Sequence, residues 1–136
     1  MTKPKPEISP FSSNKYGLLR VLVVDDNQYM RLILSEILRA VGVTYIVEAG
    51  DGAEGLHYMR EHDFNLVITD FQMQPVDGIE FVRRIRSGPG RPNPEVPVVM
   101  ITGHSTISRV SAARDAGVDE FLTKPLTARG VMERVH

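Results

Sequence analysis

From residue 17 onward, short apolar runs alternate with longer stretches in which apolar residues recur every three or four positions. Runs of the first kind have strand length, and stretches of the second kind have one apolar helical face. The first run is Arg20 to Val24. Met30, Ile33, Leu34, Ile37, Leu38 and Val41 then fall on one side of a helix, and Gly42 follows as a terminator. Thr44–Ala49 reads as the second strand and Asp51–His62 as a weaker helix with Ala53, Leu56 and Met59 on one side. Phe64–Asp70 is the third strand and Asp77–Arg86 the third helix. After a Gly- and Pro-rich loop come a strand at Pro97–Thr102, a helix at Ser105–Gly117, a strand at Asp119–Thr123 and a short final helix. Strict alternation of this kind closes as a parallel sheet covered by helices on both faces.

The runs ending at Val24, Ile68 and Ile101 are continuously apolar, as central strands are, whereas those holding Glu48 and Glu120 carry acids, as edge strands do. That split fits the strand order 2-1-3-4-5. The predicted class is α/β, a doubly wound (βα)5 sandwich around a parallel five-stranded sheet.

Composition narrows the function. A chain of 136 residues predicts one domain, spanning residues 17–136. Residues 1–16, with three prolines, three serines and three lysines, predict a flexible tail. A net charge of -1 gives no electrostatic footprint for nucleic acid. With no cysteine, thiolate metal sites and disulfides are excluded. No apolar run reaches the roughly 18 residues of a membrane helix, and the N-terminus lacks a signal-peptide core. The expectation is a cytoplasmic protein without membrane association.

In doubly wound sheets, ligands bind beyond the carboxyl ends of the strands. Asp25 and Asp26 follow the first strand, Asp70 ends the third, Thr102 ends the fourth and Lys124 follows the fifth. Like charges about 4 Å apart repel by roughly 4 kcal/mol at an effective dielectric near 20. A hard dication such as Mg²⁺ removes that conflict and favours carboxylates, water and phosphate oxygens. Each residue also has a plain structural reading: a cap partner or solvated acid for the Asp pair, a metal ligand only for Asp70, a strand-ending threonine, a surface lysine. Their convergence on one rim favours phosphoryl chemistry, with Asp70 as nucleophile and Lys124 and Thr102 on the transferred oxygens.

The stretches "VLVVDDN", "VITDFQMQPVDG", "VVMITGHS" and "FLTKPL" together resemble the response regulator receiver domain, the CheY-like module of two-component signalling with a flavodoxin-like fold. The likeness runs from about Leu18 to the end of the chain. It implies that Asp70 is the phosphoacceptor. Asp26 would bind Mg²⁺ directly, Asp25 mainly through water, and the Gln72 backbone carbonyl would be a further ligand. Thr102, Gly103 and Lys124 would receive the phosphoryl group, Gly103 by leaving room. The Lys124–Pro125 bond is expected to be cis, and Thr102 with Phe121 would form the switch. Gln72 and His104 occupy positions thought to tune phosphate lifetime; His104 could instead simply start a helix in solvent. The proline after the phosphoacceptor falls at Pro75, one residue later than the family's usual spacing.

The implied role is a signalling switch rather than an enzyme, although it would catalyse its own phosphorylation and slow dephosphorylation. The phosphoryl group would come from a sensor histidine kinase or phosphotransfer protein. Helix 1 is the expected kinase-docking surface. Helix 4, strand 5 and helix 5 would act on a downstream protein or output domain, with a phosphorylation-dependent dimer left open. A single-domain regulator is favoured over a receiver cut from a longer chain. Three rivals share parts of the pattern. A flavodoxin would place a flavin phosphate where Asp25 and Asp26 repel it. A haloacid-dehalogenase-type phosphatase needs a second aspartate where Gln72 stands. A degenerate receiver would lack one of the acids or the lysine, and none is missing.

Overall fold

The computed structural model describes residues 18–74, 76–87, 94–103 and 107–135. The strands are β1 (Arg20–Val24), β2 (Tyr45–Ala49), β3 (Leu66–Asp70), β4 (Val98–Thr102) and β5 (Glu120–Thr123). The helices are α1 (Gln28–Ala40), α2 (Gly52–Glu61), α3 (Gly78–Ser87), α4 (Ile107–Ala116) and α5 (Ala128–Val135). All strands run parallel in the order β2-β1-β3-β4-β5, as expected from the apolar and acid-bearing runs. Every residue of β3 and β4 is buried, while β2 is mostly half-buried and β5 has only Leu122 buried. Residues 1–16, His104 and Pro75 lie outside the described residues.

Alternation along the strands sends side chains to two cores. Leu22, Val24, Val67, Val98 and Met100 face Leu56, Met59, Phe81, Ile85 and Ala113 of α2, α3 and α4. Val21, Val23, Leu66, Ile68, Val99 and Ile101 face Leu34, Leu38 and Val131 of α1 and α5. Burial of each large apolar side chain here stabilises the fold by roughly 1.5–3 kcal/mol.

Side-chain caps start the helices cleanly. Asn27 accepts the Tyr29 and Met30 N–H groups, Asp51 that of Glu54, Asp77 that of Glu80 and Thr127 that of Gly130. Helix α1 ends at Gly42, whose φ of 108° is open to glycine; Val43 N–H returns to the Leu38 carbonyl, and Gly42 N–H to that of Arg39.

Several boundaries differ from the sequence reading by a residue or two, and for β3 and β5 the reason is identifiable. β3 begins at Leu66 rather than Phe64, because Asn65 is used in a reciprocal pair with the Arg20 backbone: Arg20 N–H donates to its side chain and Asn65 N–H to the Arg20 carbonyl, both at 2.8 Å. β5 begins at Glu120, because the Asp119 carboxylate turns aside to accept from Val98 N–H at 2.8 Å and Arg86 at 3.1 Å. Among the described residues, no helix is long and apolar enough to cross a membrane.

Candidate functional site

Strand register assembles the site. Val24 pairs with Ala49 and Thr69, Asp70 with Ile101, and Thr102 with Thr123. The residues at or just beyond those positions therefore reach one rim of the sheet. Asp25, Asp70 and Thr102 are buried there, and Asp26 is exposed. Carboxylate oxygens of Asp25, Asp26 and Asp70 all lie within 4.8 Å of one another. Lys124 Nζ stands 3.3 Å from Asp70 Oδ1.

Local structure fixes each group. Asp25 donates its backbone N–H to the Ala49 carbonyl at 3.1 Å, and its side chain accepts the Asn27 N–H at 2.9 Å. Asn27 itself caps α1, so neither aspartate is needed as that cap. Arg31 donates to the Asp25 carbonyl at 2.7 Å and pairs with Glu48 at 3.3 Å, while the buried Ser35 hydroxyl donates to the other Glu48 oxygen. The loop after Asp70 is pinned by Phe71 N–H on the Ile101 carbonyl and Gly78 N–H on the Phe71 carbonyl, both at 3.0 Å. Gly78 is required by close approach: a Cβ there would run into the Asp70 carbonyl oxygen. Met73 is buried in the core under this loop. Lys124 N–H donates to the Thr102 carbonyl at 3.1 Å, and the Lys124–Pro125 peptide is cis.

Burial sets the electrostatics. Desolvation pushes the Asp25 carboxyl from 3.8 up to about 6; the Asn27 N–H opposes this, and the neighbouring Asp70 adds to it. Asp70 is also raised, again chiefly by desolvation, with the Lys124 ammonium only partly offsetting it. Buried carboxylates in mutual repulsion and made only of hard oxygen donors fit a small divalent cation.

Among the described residues, two clefts open at the rim. One, of about 150 Å³, is lined by Asp70, Phe71, Gln72, Thr102, Gly103, Arg109 and Lys124. The other, of about 470 Å³, runs from Asp26 along Phe71, Gln72, Met73 and Gln74 to Asp77. Among the described residues, a Cβ on Gly103 would meet nothing within 4 Å. Phe121 is not at the rim. It is half-buried in β5, packs on the α2–α4 core, and carries the Arg114 guanidinium over its ring at 5.4 Å.

Asp25, Asp26, Asp70, Gln72, Thr102, Gly103 and Lys124 are thus brought together. Arg31, Gly78 and Arg109 escaped the sequence reading. The arginines carry no motif signal of their own, whereas Gly78 could have been suspected from its place at the start of a helix, directly after the capping Asp77.

Comparison with known proteins agrees with this architecture. The model of the response regulator receiver domain family matches residues 21–136. Chemotaxis protein CheY-3 of Vibrio cholerae is 33% identical over 117 residues, covering 86% of this chain and 88% of that protein. Among solved structures, chemotaxis protein CheY4 of Vibrio cholerae superposes with a TM-score of 0.79 at 25% identity, covering 86% of this chain and 95% of that one. The receiver domain of the histidine kinase CKI1 from Arabidopsis thaliana, complexed with Mg²⁺ and BeF3⁻, gives a TM-score of 0.75 at 28% identity, covering 89% and 92%.

Proposed function

Because this chain belongs to the response regulator receiver domain family, we propose that it is a phosphoryl-accepting switch with Asp70 as the acceptor. The observation that carries the proposal is the pairing of a buried strand-end carboxylate with Lys124 at 3.3 Å inside a triad of acids. Asp26, Asp70 and the Gln72 carbonyl, with Asp25 behind them, would hold Mg²⁺. When bound, that ion supplies neutralisation of the carboxylates and of the phosphoryl oxygens.

Asp70 presents a carboxylate oxygen from a backbone fixed by β3. That oxygen attacks phosphorus, forming the acyl phosphate P–O bond as the donor's P–N bond breaks. The electron pair of the broken bond stays on the imidazole nitrogen of the donor phosphohistidine, which a sensor kinase or phosphotransfer protein supplies. Lys124 moves from the Asp70 oxygen to a transferred oxygen, the Thr102 hydroxyl donates to another, and Gly103 leaves their space open. Later attack of water on phosphorus releases phosphate and returns Asp70. Gln72, lining both clefts, sits where it can order or exclude that water; His104 is assigned the same tuning role from the sequence resemblance alone.

Output runs through Thr102 and Phe121 to the face made by α4, β5 and α5, with α1 receiving the kinase. Arg134, donating to the Phe121 carbonyl at 2.8 Å, ties β5 to α5 and supports their moving together. The switched face would act on a downstream protein or output domain.

The test is phosphoryl incorporation from acetyl phosphate with Mg²⁺, read by intact mass. Wild type should gain one phosphoryl group, and Asp70→Asn should gain none while keeping its circular dichroism. Full labelling of Asp70→Asn would reassign the nucleophile. A pull-down with and without beryllofluoride then identifies the partner of the switched face.

A further inference from the structure

The smaller cleft has a wall that the phosphoryl-accepting role does not use. Its lining includes Arg109, from the first turn of α4, beside Asp70, Thr102 and Lys124. The Arg109 guanidinium carbon lies over the Phe71 ring, 4.8 Å from its centroid. Phe71 directly follows Asp70, its N–H is anchored on β4 and its side chain packs against the core, so the ring forms a platform at the mouth of the cleft.

Charge says what this arginine is for. A phosphoryl group on Asp70 brings about two negative charges, in addition to those of Asp25 and Asp26. A dication and the Lys124 ammonium leave about one negative charge uncompensated in a partly desolvated site. Arg109 supplies a cation at the same cleft. A guanidinium presents parallel N–H donors that match two oxygens of one phosphoryl group. A guanidinium is attracted less strongly to an aromatic face than to a phosphoryl anion, so stacking on Phe71 does not by itself compete with binding the group.

We propose that Arg109 is a further phosphoryl-binding residue, parked on Phe71 until the group arrives and then drawn onto its oxygens. The proposal rests on the assignment of Asp70 as acceptor. It adds a direct link from the phosphoryl group to α4, because Arg109 is part of that helix while Thr102 is part of β4. Phosphoryl arrival would pull on the first turn of α4 and uncover one face of Phe71.

The experiment measures beryllofluoride binding to the full chain at saturating Mg²⁺ by calorimetry and fluorine NMR, with Mg²⁺ affinity measured separately. Arg109→Ala should weaken beryllofluoride binding about tenfold and leave Mg²⁺ affinity within twofold of wild type. Arg109→Met keeps an apolar stem on Phe71 and should fail in the same way, whereas Arg109→Lys should recover much of the loss. Beryllofluoride affinity unchanged in both Ala and Met variants, or restored by Met, would overturn the proposal and leave Arg109 a packing residue. The underlying assignment fails differently: wild type would not bind beryllofluoride, or Asp70→Asn would bind it, and the proposal would fall with it.

Discussion

The two ends of the β-sheet treat polar groups in opposite ways. Where the strands begin, donors and acceptors are matched. Arg86, in the last turn of α3, donates to the carbonyls of Pro94 at 2.9 Å, Val96 at 2.7 Å and Gly117 at 2.7 Å. It also meets the Asp119 carboxylate, which in turn accepts from Val98 N–H. Where the strands end, three acids crowd together, two of them buried, and desolvation outweighs the help that Lys124 gives Asp70. One end is built to be satisfied by the chain itself. The other is left with crowded carboxylates whose repulsion a cation would relieve, which is how a functional rim differs from a structural one.

The comparison breaks most visibly at Arg86. Arg86→Ala strands several backbone acceptors and should lower stability by about 3 kcal/mol, read by urea denaturation. Under conditions where the variant is folded, its Mg²⁺ affinity should match wild type. A joint loss of stability and Mg²⁺ binding would mean the two ends are not separable. Gly78→Ala tests the opposite end. A Cβ driven against the Asp70 carbonyl should lower stability by roughly 2 kcal/mol and, unlike Arg86→Ala, should also slow acetyl phosphate labelling by displacing the acceptor.

Titration sharpens the contrast with a change of sign. The folded state holds the Asp25 proton more tightly than the unfolded state, with a pKa near 6 against 3.8. Between those values the folded chain binds more protons, so stability without added Mg²⁺ falls as pH rises through this window and levels off above about 6. Asp25→Asn should reduce that fall, to which the raised Asp70 also contributes, and at neutral pH should unfold at a higher urea concentration than wild type; with solvent screening at the open rim the gain is roughly 1 kcal/mol. It should also bind Mg²⁺ more weakly. A variant that is destabilised at neutral pH would show that the Asp25 carboxylate is satisfied rather than in conflict.

Much of this was legible in the sequence because two periodicities carried it. Continuous apolar runs marked β1, β3 and β4 as central, and strand ends in a doubly wound sheet share a rim, so Asp25, Asp70, Thr102 and Lys124 could be gathered from order alone. What could not be read were contacts made by folding back across elements. Glu48 looked like a solvated edge acid, yet it accepts from both Arg31 and Ser35. Asp119 looked like the first residue of a strand, yet its side chain satisfies the start of the neighbouring one. Arg109 belongs to a helix whose apolar pattern says nothing about which way a long cation will lie. Side-chain direction across loops depends on packing that no residue spacing encodes.

The smallest expected effect is also the sharpest contrast, because it pairs two glycines of the same rim. A Cβ at Gly78 collides with backbone, whereas among the described residues a Cβ at Gly103 meets nothing within 4 Å, and Gly103 does not have the positive φ found at Gly42 and Gly117. Gly103→Ala should therefore fold unhindered. By restricting the unfolded chain it should gain roughly 0.4–1 kcal/mol, which a urea titration resolves. The space it occupies is nonetheless the wall of the cleft beside Asp70. A phosphoryl group entering that cleft would meet the new methyl, so beryllofluoride affinity should fall several-fold while Mg²⁺ affinity stays at the wild-type value. Equal beryllofluoride affinity in wild type and Gly103→Ala would mean that the anion sits elsewhere on the rim, against the wider opening between Asp26 and Asp77.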